Sequence, residues 1–261
     1  MTTPPTRIEE AAAVLREAWN TRTPCRPVRD LLEPGDIDAA YAVQWINTEL
    51  RIKAGERLAG RKIGLTARAV QQQFGIDQPD YGVLFDRDVW REDQPIGPGD
   101  AMQPRVEADA IVLERSITVP RPGVADLLRA AAYALPAIEV VGSRIANWDI
   151  KIQDTIADNA SAQLVVLGGH PVPLDRLDLE LCGMRLSVNG QTASIGIGAA
   201  CLGNPLNAAA WLAARMAAVG LPLQAGDVIM TGALGPMVTA RAGDTVEVRI
   251  GGLGALGCRF A

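Results

Sequence analysis

From Leu58 to the C-terminus, short runs of β-type residues recur at about 58–65, 105–114, 137–142, 162–167, 183–188, 191–195, 227–231 and 244–250, many separated by glycine-containing turns. Helical patterns interrupt this texture only at about 66–74, 124–134 and 205–219, the last with Asn204 as N-cap and Pro205 in the first turn. Strands that do not alternate regularly with helices argue against a doubly wound parallel sheet and for an α+β fold. Asn189-Gly190, between Leu186-Ser-Val188 and Gln191-Thr-Ala193, is the strongest hairpin signal in the chain.

The first residues read differently. A helix is predicted over 6–21, with Thr6 and Glu9 at capping-box spacing and Ile8, Ala11, Ala12, Leu15, Ala18 and Trp19 on one stripe. A second runs over 36–54, with Tyr41, Ala42, Trp45, Ile46 and Leu50 facing inward and Gly55 as its stop. The chain therefore divides into a helical N-terminal portion, 1–56, and a β-rich domain, 57–261, where the candidate chemistry lies.

With 48% apolar residues in 261, a sizeable core can be buried. A net charge of −5 and the absence of a Lys/Arg run give no electrostatic footprint for nucleic acid. No apolar stretch approaches the roughly 18 residues of a membrane span, and Met1-Thr-Thr-Pro-Pro5 lacks an apolar secretory core, so a cytoplasmic protein is expected. Cys25, Cys182, Cys201 and Cys258 form no C-x-x-C pair and read as buried thiols. His170 is the single histidine, in the turn-like Gly-Gly-His-Pro, which disfavours histidine triads and multi-histidine metal sites. Acid–base chemistry then falls to carboxylates, lysine, tyrosine or water. Gly252-Leu-Gly-Ala-Leu-Gly257 matches a dinucleotide fingerprint in letters only, because no helix can follow it before the chain stops.

Glu107 and Asp109, in Pro104-Arg-Val-Glu-Ala-Asp-Ala-Ile-Val112, lie on one face of a predicted strand, their Cα atoms about 7 Å apart. Glu139 is a third carboxylate inside the apolar run Pro136-Ala-Ile-Glu-Val-Val141. Burying such groups unpaired is costly, and carboxylates without histidine or thiol suit Mg²⁺ or Mn²⁺ rather than zinc or copper. Spacing leaves the alternative open that Glu107 and Asp109 sit on the wet face of an edge strand while Glu139 pairs with an arginine. Lys62, between apolar neighbours in Gly60-Arg-Lys-Ile-Gly64, would offset charge beside such a cluster, or else lie along the surface.

These runs, together with Val70-Gln-Gln-Gln-Phe-Gly-Ile-Asp-Gln-Pro-Asp-Tyr-Gly82, Pro136–Arg144, Ala157-Asp-Asn-Ala-Ser161 and Thr231-Gly-Ala-Leu-Gly-Pro-Met237, resemble the 2-keto-4-pentenoate hydratases of the fumarylacetoacetate hydrolase superfamily, in unbroken order from about residue 8. The resemblance implies a mixed β-roll, barrel-like fold and a homo-oligomer, pentameric or decameric. It implies Mg²⁺ or Mn²⁺ on Glu107, Asp109 and Glu139, with Lys62 and Asp80 as catalytic residues and Asn159, Ser161, Thr231 and Gly232 binding substrate. The implied reaction adds water to 2-hydroxypenta-2,4-dienoate, giving 4-hydroxy-2-oxopentanoate in the meta-cleavage catabolism of aromatic compounds. Asp109 stands where the family usually has Glu, and Asn204 where relatives often carry His. Related 4-oxalocrotonate decarboxylases share the metal framework; Asp80 and the segment 232–237 favour hydratase over that alternative. A carbon–carbon hydrolase of the wider superfamily and a non-catalytic partner subunit of such a complex are the remaining alternatives.

Overall fold

The computed structural model describes residues 2–68, 71–72, 76–113 and 115–261, with the backbone alone for 108–113. The predicted helix over 66–74 and the motif residues Val70 and 73–75 fall partly or wholly outside the described residues.

Helix α1 spans Pro5–Thr21 and buries Ala11, Ala12, Leu15 and Ala18, the middle of the predicted stripe. It has no side-chain cap. Pro5, with its fixed φ and missing N–H, starts the helix one residue early and places Thr6 within it, so the predicted capping box does not form. Helix α2, Ile37–Lys53, is capped by Asp36, whose carboxylate accepts from the Ala39 N–H at 3.0 Å. Its buried residues are Ala39, Ala40, Val43, Gln44 and Thr48, while Leu50 is 41% exposed, so the inward face is rotated from the predicted one. Small alanines bring α2 close to its neighbours, and the two polar residues are buried because each is hydrogen-bonded.

This helical portion does not close its own core. Ile145, Ile156 and Ala157 complete the apolar cluster of α1 and α2, and Arg29 pairs with the fully buried Asp154 at 2.6 Å. The change of texture near residue 57 is real, yet packing runs across it.

The remaining strands are β1 (Leu58–Gly64), β2 (Asp80–Phe85), β3 (Val89–Arg91), β4 (Arg105–Leu113), β5 (Ala131–Val141), β6 (Ala162–Leu167), β7 (Gly183–Val188), β8 (Gln191–Ile197), β9 (Val228–Met230), β10 (Val238–Thr239), β11 (Thr245–Ile250) and β12 (Gly254–Arg259). The larger sheet is ordered β2-β1-β9-β4-β5-β6-β3, with β10 also on β4, and the smaller β12-β11-β7-β8; neither closes into a barrel. Helices α3 (Val124–Ala130), α4 (Ile152–Ala157) and α5 (Pro205–Ala218) complete the described elements used below. Helix α3 ends earlier than its alanine-rich sequence predicts, because residues 131–135 are taken up by pairing with β4, a tertiary gain that overrides helix propensity. Asn189 and Gly190 both have positive φ, 50° and 78°, as a two-residue hairpin turn between β7 and β8 requires. The glycine-rich C-terminal run is strand β12, hydrogen-bonded along β11. Ile63, Ile138, Leu186, Leu212, Met216 and Val246 belong to the core that joins both sheets to α5.

Candidate active site

In the antiparallel pair β4–β5, Glu107 and Glu139 are direct cross-strand partners, so their side chains share one face. Both are buried, at 7% and 1% exposure. Strand β5 is an inner strand covered on both faces, which puts a carboxylate in its middle out of reach of water. Lys62 approaches from β1, where it is aligned with Met230 of β9 and Gly82 of β2. Its Nζ lies 3.3 Å from Glu139 Oε1, but off the line a hydrogen bond needs, and among the described residues Oε1 is left buried without a hydrogen-bond donor. The partner of Glu139 is thus a lysine and not an arginine.

Charge is out of balance here. Burial pushes the Lys62 ammonium towards neutrality, but Glu139, Glu107 and Asp80 outweigh it and hold its pKa above the ordinary lysine value. Burial pushes Glu139 well above the usual carboxylate range, Lys62 opposes the rise, and Glu107 adds to it. The carboxylates around Lys62 favour its charged form, whereas Glu139 is raised first by burial and then by its neighbour Glu107.

Asp109 lies on β4 at a register shift, where β5 advances three residues, Ile138 to Leu135, for two on β4. Its side chain is outside the described residues. Among the described residues no group of three His, Cys, Asp or Glu is placed to hold a metal.

Asp80 opens β2 opposite Gly64 of β1. Its carboxylate is 1% exposed; Oδ2 accepts from Thr155 Oγ1 at 3.4 Å, while Oδ1 is buried without a hydrogen-bond partner. The absence of a side chain on Gly64 makes room for it: a Cβ there would lie 2.2 Å from Oδ1 and 3.5 Å from Lys62 Nζ. Burial raises the Asp80 pKa, with Lys62 and the Thr155 hydroxyl pulling against it. A carboxylate with one oxygen tethered, the other without a hydrogen-bond partner among the described residues and its proton affinity raised is suited to taking a proton from a water admitted beside it.

Asn159, Ala160 and Ser161 form a left-handed turn, with φ of 59°, 50° and 59°. The Asn159 amide is spent on β2: Oδ1 accepts from Val83 N–H at 2.7 Å and Nδ2 donates to Val83 O at 2.9 Å. Ser161 directs its Oγ to within 3.4 Å of Thr155 Oγ1, which brings it into the Asp80 neighbourhood. Before the turn, the fully buried Asp158 carboxylate accepts from Arg144 NH1 at 2.6 Å and from the Arg144 backbone N–H at 2.8 Å.

Strands β9 and β10 pair with the two ends of β4, at 111–112 and 105–106, so the connection 231–237 runs past the stretch carrying Glu107 and Asp109. Thr231 is fully buried in it, and its carbonyl accepts from Cys201 Sγ at 2.9 Å. Gly232, at φ 112°, packs so closely on Thr66 that a Cβ would lie 2.5 Å from its Oγ1. Asn204, the other departure from the family pattern, caps α5 through Leu206 N–H at 2.9 Å.

Thr155 and Gly64 were not singled out by the sequence. Thr155 lies in Ile152-Gln-Asp-Thr-Ile-Ala157, where three consecutive polar residues in a segment too short to read as a helix give no signal of burial. A cavity of about 510 Å³ opens on another side, among Trp19, Arg22, Arg51, Phe85, Trp90 and Arg144; Gln44, Asp158 and Asn159 also line it, and it contains none of Lys62, Asp80, Glu107 or Glu139. The buried, unbalanced charges mark the chemistry, and that cavity does not hold them.

The fumarylacetoacetate (FAA) hydrolase C-terminal family model matches residues 91–261. The chain is 53% identical over 256 residues to a 2-keto-4-pentenoate hydratase of Paraburkholderia phymatum, covering 98% of each. It is 38% identical over 256 residues to a 2-hydroxyhexa-2,4-dienoate hydratase of Comamonas testosteroni, covering 97% of each. Among solved structures, 4-oxalocrotonate decarboxylase from Pseudomonas putida G7, complexed with magnesium and adipate, superposes with a TM-score of 0.90 at 30% identity, covering 97% of this chain and 98% of that one.

Proposed function

Because the chain belongs to the 2-keto-4-pentenoate hydratase family of the fumarylacetoacetate hydrolase superfamily, a family of hydro-lyases in aromatic meta-cleavage catabolism, we propose that it hydrates 2-hydroxypenta-2,4-dienoate with Asp80 acting on water. The observation that carries this reading is the Asp80 carboxylate: buried, anchored at Oδ2 by Thr155, without a hydrogen-bond partner at Oδ1 among the described residues, and close to Lys62.

The residues present fit a hard divalent ion. Glu107 and Glu139 face each other in a buried site, Glu139 Oε1 lacks a donor, and one lysine does not neutralise the pair. Glu107, Glu139 and Asp109 would hold it, as Mg²⁺ or Mn²⁺. When bound, the ion supplies positive charge to the substrate's carboxylate and 2-oxygen and lowers the cost of enolate-like charge.

In this reading the protein's own groups divide the work. Lys62 keeps a positive charge beside the developing negative charge while the C2 hydroxyl of the dienol gives up its proton and C5 takes one from solvent, leaving a 2-oxo-3-ene. Asp80 Oδ1 then takes a proton from the water whose oxygen adds at C4, and a proton returns to C3 as the 2-oxygen regains its carbonyl form. Ser161, Thr231 and Gly232 hold the substrate with small polar groups that add no charge. Asn159 shapes the Ser161 turn from behind through Val83. The assembly would be a homo-oligomer.

Asp80→Asn separates the steps. It should retain exchange of solvent deuterium into C5 while formation of 4-hydroxy-2-oxopentanoate falls on the order of 10² or more, the usual contribution of a positioned base. Loss of exchange and hydration together would move Asp80 to the protonation step. The decarboxylase alternative is met by offering 4-oxalocrotonate in the same assay and following carbon dioxide release.

A further inference from the structure

The carboxylate of Asp80 has few restraints of its own. Among the described residues, Thr155 Oγ1 is the side-chain donor to it, at 3.4 Å, near the limit at which a hydrogen bond holds. Thr155 lies on α4 and Asp80 on β2, so the contact exists only while helix and strand keep their spacing. A shift of a few tenths of an ångström would break it.

One side chain fixes that spacing. Gln44, 5% exposed on α2, donates from a single Nε2 to Tyr81 O at 3.0 Å and to Ile156 O at 2.9 Å. Tyr81 follows Asp80, and Ile156 follows Thr155. The amide therefore ties together the two backbones immediately beside the two residues in contact, in a region where water does not compete for either carbonyl. A buried glutamine among Ala39, Ala40, Val43 and Thr48 is a costly choice for packing alone. Thr155 is also suited to its part: a β-branched side chain in a helix has restricted χ1, so its hydroxyl is aimed with little loss of rotamer freedom.

We propose that Gln44 and Thr155 are positioning residues that hold the Asp80 carboxylate in its reactive orientation, so that the N-terminal helical portion sets the geometry of the water-activating group. The proposal rests on the assignment of Asp80 to water activation. Thr155 does not touch substrate; it restrains Oδ2 and leaves Oδ1 free, and Gln44 maintains the distance over which it does so.

The test is a double-mutant cycle in the full-length, metal-loaded protein, with Thr155→Val, Thr155→Ser, Asp80→Asn and the Asp80→Asn/Thr155→Val pair, each checked for folding by circular dichroism and thermal midpoint. Thr155→Val should lower kcat for hydration about tenfold with KM within about twofold, the signature of a group that matters in the transition state. Thr155→Ser should recover most of that loss, and in the Asp80→Asn background Thr155→Val should have no further effect. Gln44→Met should reproduce the fall in kcat. An unchanged kcat in Thr155→Val, an equal loss in both backgrounds, or no recovery with serine would overturn the positioning role while leaving Asp80 in place. Full hydration by Asp80→Asn alone would instead overturn the assignment of Asp80 itself, and the brace with it.

Discussion

Gly64→Ala places one methyl group against the Asp80 carboxylate, the group proposed to act on water. Its Cβ would lie 2.2 Å from Asp80 Oδ1, where ordinary contact begins at 3.4 Å, so the oxygen must retreat by about 1.2 Å; Lys62 Nζ, at 3.5 Å, need not move. No positive φ is required at Gly64, so the backbone accepts alanine without strain. The least costly response is rotation of the short Asp80 side chain, which relieves the clash at the expense of the Thr155 contact. Overpacking of this kind costs about 1–3 kcal/mol. A displacement of about 1 Å in a catalytic group costs on the order of 10² in rate. Loss of dienol absorbance, calibrated by product identification, should show kcat reduced by roughly that factor, with KM little changed and the thermal midpoint a few degrees lower. Hydration within about threefold of the unmodified protein, in a folded Gly64→Ala, would mean that the position of Oδ1 is not what the reaction depends on.

Glu139→Gln, which removes one carboxylate and leaves Lys62 with fewer negative neighbours, should lower activity by at least about 10². Exhaustive chelation of the unmodified protein should do likewise, with recovery on adding Mg²⁺ or Mn²⁺; full activity after chelation would rule out the metal. Asn159→Ala strips Val83 of both its side-chain partners in a buried strand and should cost about 2–4 kcal/mol, read from denaturant midpoints at constant m.

The carboxylate pair was legible because strand alternation and apolar flanks are local properties. Glu107 and Glu139 each stood where burial without a cation is costly, and that argument needs no knowledge of the fold. Their mutual alignment was not legible, since the register of β4 against β5 is set by pairing over the whole strands. Lys62 was picked by the same local rule, and only the sheet order β1-β9-β4-β5 brings it to the neighbourhood of Glu139. Helix α2 shows the opposite case. Counting apolar residues chose the face of Tyr41, Trp45 and Leu50, whereas the buried face carries Gln44 and Thr48, because a polar residue whose hydrogen bonds are met inside is indistinguishable in sequence from one that faces water. Strand β2 was missed for a related reason: Asp80-Tyr-Gly-Val-Leu-Phe85 starts on a charge and includes a glycine, and its strand character comes from pairing with β1.

The turn at Asn159–Ser161 shows how the site's geometry is held. Three consecutive non-glycine residues with left-handed φ cost on the order of 1–2 kcal/mol each, somewhat less for asparagine. Such a turn persists only if its surroundings over-determine it. The Asn159 amide closes on both backbone groups of Val83, Asp158 is locked to Arg144 through side chain and main chain, and the Ser161 carbonyl accepts from the Gly142 N–H at 2.8 Å. Gly82 completes the fit, since a Cβ there would lie 2.2 Å from the Asn159 carbonyl oxygen. Gly82 is also the strand partner of Lys62. The backbone that presents Ser161 is therefore seated on the same strand that carries Asp80, one residue past the alignment with Lys62, so a disturbance of β2 would displace Asp80, the strand partner of Lys62 and the 159–161 turn together. Strain of this kind is tolerable because the restraints come from β2, β5 and the Arg144 loop at once, and no single lost contact lets the turn relax to a right-handed form.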